Sequence, residues 1–259
     1  MSEQILLQRK NAVLTVVLNR PHKLNAMTKS MWQELGEIFR DLSGDDELRC
    51  IVLRGAGTRS FSPGNDIGEF EQERANVDQA RDYGAIMAAT IDALSSCRHP
   101  LIASIHGICV GGGLEIACCC DMRICAASSR FGVPVNKLGL VMSPPELEGL
   151  VRLVGRAAAF EILLEGRIFG ADEAWRMGLV NRVVANEQVE KETNELVGRI
   201  VEGAPLVARW HKRFIKRVED PTPLTEEEID EGYQCFGTED FQIGYKAFLR
   251  KEKPGFVGR

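Results

Sequence analysis

Paired Cys-x-x-Cys units are absent from this 259-residue chain, although it holds eight cysteines. They stand at 50, 97, 109, 118, 119, 120, 125 and 235. A tetrahedral zinc site usually draws two close ligands from each of two loops, and this scatter supplies no such pairs. No metal site is expected, and the Cys118-Cys119-Cys120 run reads as small, reduced core filler. A basic excess is missing too: 32 Lys and Arg against 37 Asp and Glu leave a formal charge of −5. Neutralising a polyanion needs such an excess, so nucleic acid is not an expected partner. No apolar run approaches the roughly 20 residues of a membrane span. The N-terminal Met1-Ser2-Glu3-Gln4 lacks the basic, apolar, small order of a secretory signal. A cytoplasmic globular protein, long enough for a sizeable core, is the expectation.

Periodicity supplies the outline. Ile5-Leu6-Leu7 and the run 13–18 are β-prone and flank a polar Lys10-Asn11 turn, which predicts a hairpin. Thr28 is placed to cap a helix carrying Met31, Leu35, Ile38, Phe39 and Leu42 at helical spacing. Cys50-Ile51-Val52-Leu53 reads as a buried strand, and the Gly-, Ser- and Pro-rich 55–66 as loop. A second long helix runs through Ala80, Gly84, Met87, Ile91 and Leu94, with strands following at 101–105 and 122–126. Strand and helix alternate to about residue 135, which argues an α/β fold. Beyond Pro144 the pattern is almost wholly helical. Val207, Trp210, Phe214 and Val218 form one stripe, opposite Arg209, Lys212, Arg213, Lys216 and Arg217, which read as a solvated face. Further helices are predicted over 225–236 and 239–251. The chain thus divides into a core over 1–200 and a helical segment over 201–259 suited to oligomerisation.

The chemistry concentrates between 101 and 121. A buried strand runs into Gly111-Gly112-Gly113, which opens a helix. Helix starts expose unpaired N–H groups and a positive dipole end, and glycine lets a ligand oxygen approach them. Glu115 lies about one turn further on. An oxyanion donor beside a buried carboxylate is what proton transfer next to a carbonyl requires. A tight-packing turn with Glu115 complementing the helix dipole would leave the same residues. The dinucleotide fingerprint G-x-G-x-x-G is not spelled here.

A second loop, Ser60-Phe61-Ser62-Pro63-Gly64-Asn65-Asp66-Ile67, narrows the choice. Together with Arg20-Pro-x-x-x-Asn25-Ala26-Met27, His106-Gly107-x-x-x-Gly111-Gly112-Gly113-x-Glu115 and Cys120-Asp121 to Phe131-Gly132, it resembles the crotonase superfamily of enoyl-CoA hydratases and isomerases. Gly170-Ala171-x-Glu173-Ala174 and Ala247-Phe248 before Lys251 extend the resemblance over nearly the whole chain. It implies a spiral of ββα units with a helical C-terminal oligomerisation segment, assembled as a homotrimer or dimer of trimers. It also implies an acyl-CoA substrate, coenzyme A being part of that substrate rather than a separate cofactor. By the same resemblance, the N–H groups of Asn65 and Gly112 form the oxyanion hole and Glu115 is the principal acid/base. Ser62, Gly64, Asp66, Ile67, Gly111 and Val135 fall on the substrate-binding loops. Lys23 and Ala26 lie near the nucleotide end, and Lys251 reaches a phosphate from a neighbouring subunit.

Departures from the family pattern bear on the reaction. Hydratases carry a second catalytic glutamate after Phe-Gly-x-Pro, where this chain has Val135. Some family isomerases take their acid from the loop near position 143; Glu146 lies about a turn beyond it and Glu148 slightly further. Ser143-Pro-Pro-Glu146 also spells a capping box. One carboxylate suits double-bond migration better than addition of water, and the Ser-x-Gly-Asn-Asp stretch resembles certain Δ3,Δ2-enoyl-CoA isomerases. Isomerisation is therefore favoured, with reversible hydration of a 2-enoyl-CoA as the alternative if Glu146 replaces the missing acid. Decarboxylation and thioester hydrolysis stay open in the same fold. A non-catalytic CoA- or RNA-binding scaffold is the reading from another class, opposed by Glu115 beside intact glycines.

Overall fold

A computed structural model describes residues 4–259; residues 1–3, part of the N-terminal reading above, lie outside the described residues. The predicted hairpin is present as β1 (Ile5–Lys10) and β2 (Val13–Leu18), antiparallel with Ile5 opposite Leu18. Thr28 caps α1 (Lys29–Leu42), its hydroxyl accepting the Met31 N–H at 3.2 Å. Met31, Leu35 and Phe39 of that helix are fully buried. From there the chain repeats one unit: a strand in a large sheet, a short strand in a small sheet, then a helix.

The first turn of the spiral is β3 (Cys50–Gly55), β4 (Ser60–Ser62), a short α2 (Phe70–Glu73) and α3 (Val77–Ser96). The second is β5 (Leu101–Ile105), β6 (Ile108–Val110) and α4 (Gly112–Cys118); the third is β7 (Met122–Ala126), β8 (Arg130–Gly132) and α5 (Pro144–Glu165). Short β9 (Phe169–Gly170), α6 (Ala171–Arg176) and β10 (Arg182–Val184) follow. The large sheet has the order β1-β2-β3-β5-β7-β10, parallel except for the first pair. The small sheet has the order β4-β6-β8-β9, parallel but for the last pair. The three-residue strands of the small sheet are too short to show a period, which is why 55–66 reads as loop in the sequence.

Period-two alternation decides what each strand faces. In β3, Ile51 and Leu53 point into the main core, while Cys50 and Val52 join Ile102 and Ile124 in a second cluster. Leu196 and Val197 of α7 (Val189–Val201) cover that outer cluster. Strands covered on both faces need no polar positions, and β5 is buried throughout. Cys118 and Cys120 are buried in the core and Cys119 is half-buried; all eight cysteines are free thiols.

Helices α8 (Pro205–Val218), α9 (Glu226–Glu231) and α10 (Glu239–Arg250) complete the chain. The helix predicted over 225–236 stops at Gly232 and continues as a 3-10 turn, Gln234–Gly237. Glycine is a poor helix former, and Gly232 sits where the short α9 has few buried contacts to hold it. The cationic face of α8 is partly engaged rather than solvated: Lys212 pairs with Asp121 at 2.8 Å, and Arg209 donates to the Asp46 and Leu48 carbonyls. Among the described residues, no helix is long and apolar enough to cross a membrane.

Candidate active site

Three segments converge on a cavity of about 150 Å3: the loop after β4, the start of α4, and the stretch from Pro134 to the first turn of α5. The first loop is tied down from within. Fully buried Ser62 donates its hydroxyl hydrogen to the Asn25 carbonyl (2.9 Å) and accepts the Gly64 N–H (3.1 Å). The Asn25 amide donates in turn to the carbonyls of Ala56 and Ser60. Arg20 pairs with Asp66 at 2.9 Å and donates to the Ala26 carbonyl at 2.7 Å. The Arg20 guanidinium and the Gly68 N–H, which Asp66 accepts at 3.1 Å, outweigh the effect of burial and hold the Asp66 carboxyl below its usual range.

This lacing orients one backbone donor. The Met27 N–H bonds the Gly64 carbonyl and the Asp66 N–H bonds the Met27 carbonyl, both at 2.8 Å. A trans peptide points its N–H opposite to its C=O, so the Asn65 N–H faces away from Met27. Gly112 is the first residue of α4, and the first helical bonds run from Leu114 and Glu115 to the Gly111 carbonyl. Its own N–H precedes them and has no place in the helical ladder. The two donors are neighbours because glycine occupies both backbones. Gly64 has φ +93°, and a Cβ there would stand 2.6 Å from the Gly112 nitrogen. One on Gly112 would stand 3.0 Å from Trp32 Cζ2. Trp32 fixes the loop from the other side, its indole N–H donating to Asn65 Oδ1 at 2.6 Å.

Glu115 sits in the first turn of α4, 6% exposed, and its Oε2 has no hydrogen-bond partner. Burial, reinforced by the negative charge of Glu146, pushes its carboxyl up to about 8 against the weaker pull of Arg74. Glu146 is half-buried in the first turn of α5 and lines the same cavity. Its carboxylate accepts the Ser143 N–H at 2.7 Å, so the expected capping box is formed. Val135 lines the cavity too, with Ile67, Met87, Leu140 and Met142 supplying further apolar wall. Glu115 and Glu146 also border a larger cavity of about 590 Å3 between α3, α4, α5 and α8.

Of the residues singled out in the sequence, Asn65, Ile67, Gly111, Gly112, Glu115, Val135 and Glu146 line the small cavity together. Ser62, Gly64 and Asp66 support it from the adjoining loop. Ala26 is buried and Lys23 exposed at the Arg20–Asp66 edge, off the cavity wall. Lys251 ends α10 in the left-handed conformation (φ 56°) and is not brought to the cavity within one chain. Glu148 is exposed, pairs with Arg152, and borders the larger cavity but not the small one. Trp32, Arg74, Met87 and Met142 escape sequence reasoning: their spacing is that of ordinary helix and loop positions. Among the described residues, no group of three or more His, Cys, Asp or Glu is arranged to hold a metal ion.

Comparison with known proteins agrees with this geometry. The sequence family described as "Enoyl-CoA hydratase/isomerase" matches residues 8–259. A crotonyl-CoA hydratase of Syntrophomonas wolfei is 32% identical, over 99% of each chain. A carnitinyl-CoA dehydratase of Proteus mirabilis is 33% identical over the full length of both. The crystal structure of an enoyl-CoA hydratase/carnithine racemase from Magnetospirillum magneticum superposes with a TM-score of 0.98 at 49% identity, covering 100% of this chain and 97% of that one.

Proposed function

On the premise that this chain belongs to the enoyl-CoA hydratase/isomerase family, we propose that it reversibly adds water to the double bond of a 2-enoyl-CoA. The observation that carries the reading is a pair of carboxylates, Glu115 and Glu146, on the wall of one cavity that also holds the Asn65 and Gly112 donors. The thioester oxygen lies between those two N–H groups, which take up the negative charge of the enolate; losing one such donor typically lowers the rate about 10²–10³-fold. Water's oxygen bonds to C3 while Glu146 accepts its proton. Neutral Glu115, whose carboxyl is raised to about 8, gives its proton to C2 as the enolate collapses. Solvent exchange then returns a proton to Glu115 and removes one from Glu146. One group to take the proton of water and a second to deliver a proton to carbon are what such a sequence uses. The missing glutamate at Val135 therefore weighs less toward isomerisation than the sequence suggested, because the fold brings Glu146 to the same space.

Isomerisation has one specific observation in its favour: Glu146 is already engaged as a helix cap. It would need Glu115 alone, removing a proton at C4 and returning one at C2. Purified protein incubated in heavy water with a 2-enoyl-CoA and, separately, a 3-enoyl-CoA separates the two. Hydration yields a 3-hydroxyacyl-CoA labelled at C2, lost in Glu115→Gln and lowered at least tenfold in Glu146→Gln. Migration of the 3-enoyl double bond without any hydrated product, insensitive to Glu146→Gln, would overturn hydration in favour of isomerisation. Assembly as a trimer or dimer of trimers is part of the same proposal. The exposed Phe248 and Leu249 beside Lys251 support it, and equilibrium sedimentation tests it.

A further inference from the structure

Arg74 is the one cation on the wall of the smaller cavity, and among the described residues it makes no ion pair. The acids nearest to it in sequence are engaged or turned away. Glu69 accepts the Lys29 N–H at 2.8 Å, Glu73 pairs with the Lys29 ammonium at 2.7 Å, and Glu71 is exposed. Two aromatic faces hold the guanidinium instead, Phe70 at 5.1 Å and Tyr83 at 4.9 Å from its carbon. Such stacking fixes the plane of the fork and leaves its N–H edge free. Much of the wall around it is apolar, Ile67, Met87, Leu140 and Met142, and the two carboxyls on that wall, Glu115 and Glu146, form no ion pair with it. A purely alkyl group entering here would strip water from the guanidinium and offer no acceptor. A carboxylate would accept two parallel, charge-assisted hydrogen bonds from it. The cavity, about 150 Å3, equals roughly five waters at about 30 Å3 each, which suits a short acyl group.

We propose that Arg74 is a specificity-determining residue that recognises a carboxylate on the acyl group, making the preferred substrate the CoA thioester of a short unsaturated dicarboxylic acid. The inference rests on the acyl-CoA reading above and adds the substrate class. Binding tests it apart from turnover, in the Glu115→Gln background. Two 2-enoyl-CoA thioesters of equal length, one ending in a carboxylate and one in a primary amide, are titrated by calorimetry. Hydrogen bonds to charged groups contribute about 1.5–3 kcal/mol, so the carboxylate thioester is expected to bind at least ~10-fold tighter. Adding Arg74→Met should bring the ratio to within about threefold, and Arg74→Lys, which keeps the charge and guards against misfolding, should retain part of it. Equal affinities in the Glu115→Gln protein, or equal weakening of both thioesters by Arg74→Met, would overturn the proposal; the latter would place Arg74 on coenzyme A itself. Turnover by the wild-type enzyme is read separately. A binding preference without turnover of either thioester would refute the hydration reading and leave the Arg74 assignment standing.

Discussion

Replacing Glu115 by Gln should abolish turnover and, above pH ~7, stabilise the protein, the more so the higher the pH. The carboxyl moves from an ordinary 4.5 to about 8 in the folded chain, because its charge is costly to bury and Glu146 adds a second negative charge. Between those two values the folded state holds more protons than the unfolded state. Stability therefore falls as pH rises through that window and levels off above it. One pH unit of separation between folded and unfolded pKa is worth about 1.4 kcal/mol, so Glu115 withdraws about 5 kcal/mol above pH ~8 and only about 1 kcal/mol near pH ~5. Gln has no charge to bury; its amide left without a partner costs about 1–3 kcal/mol, independent of pH. The diagnostic quantity is accordingly the slope: the stability difference between variant and wild type should grow by about 4 kcal/mol from pH ~5 to ~9. Urea unfolding of both proteins at fixed concentration across that range measures it. His99 works in the opposite sense. Its ring is fully buried and its pKa is lowered to about 4 by burial, then by Arg209 and Arg98, so its stabilising contribution is lost as pH falls from 6.5 toward 4. That effect is common to both proteins and cancels in the difference. A flat difference, or one that grows toward acid, would refute the account of Glu115.

Other residues make separate demands. Gly64→Ala places a methyl 2.6 Å from the Gly112 nitrogen at a φ of +93°, so kcat should fall about 10²–10³-fold as the donor pair is pushed apart; near-wild-type kinetics would show that the two N–H groups do not act together. Trp32→Phe removes the 2.6 Å bond to Asn65 Oδ1 and should lower kcat about tenfold, an effect worth about 1.4 kcal/mol, with KM little changed. Hydration itself should decline as pH rises through about 8, where Glu115 loses the proton it donates; a profile flat to pH ~10 would assign the proton to another group. Burial pushes the Cys50, Cys118 and Cys125 thiols up to about 12, so a disulfide reagent near neutral pH should react with half-buried Cys235 well before these three. Rapid modification of Cys118 in the native protein would contradict the packing around α4.

Much of the fold is legible in the residues because it rests on local rules. Thr28 ahead of an apolar stripe, Ser143-Pro-Pro-Glu146 ahead of another, the apolar run at 50–53 and the run at 101–105, broken only by Ser104, each name their element. The glycines at 111–113 mark the helix start that exposes the Gly112 N–H, and Glu115 follows one turn later because 3.6 residues complete a turn. Short elements are less legible: three residues carry no period, so β4, β6 and β8 are invisible until paired.

The sequence by itself pointed to the family through motifs spread along the chain, and it determined the glycine-opened helix start, the acid one turn beyond it and the alternation of strands and helices, since these last depend on neighbours within a few positions. Tertiary structure alone decided which distant groups share a space. Which second carboxyl shares a cavity with Glu115 turned on how α5 meets α4, and Glu146 lines that wall together with Val135. Arg74 became distinctive only once Lys29 had engaged Glu69 and Glu73, leaving it stacked on Phe70 and Tyr83 with no ion pair among the described residues. The raised pKa of Glu115 has the same origin, because desolvation and the field of a second carboxylate are set by everything packed around a side chain.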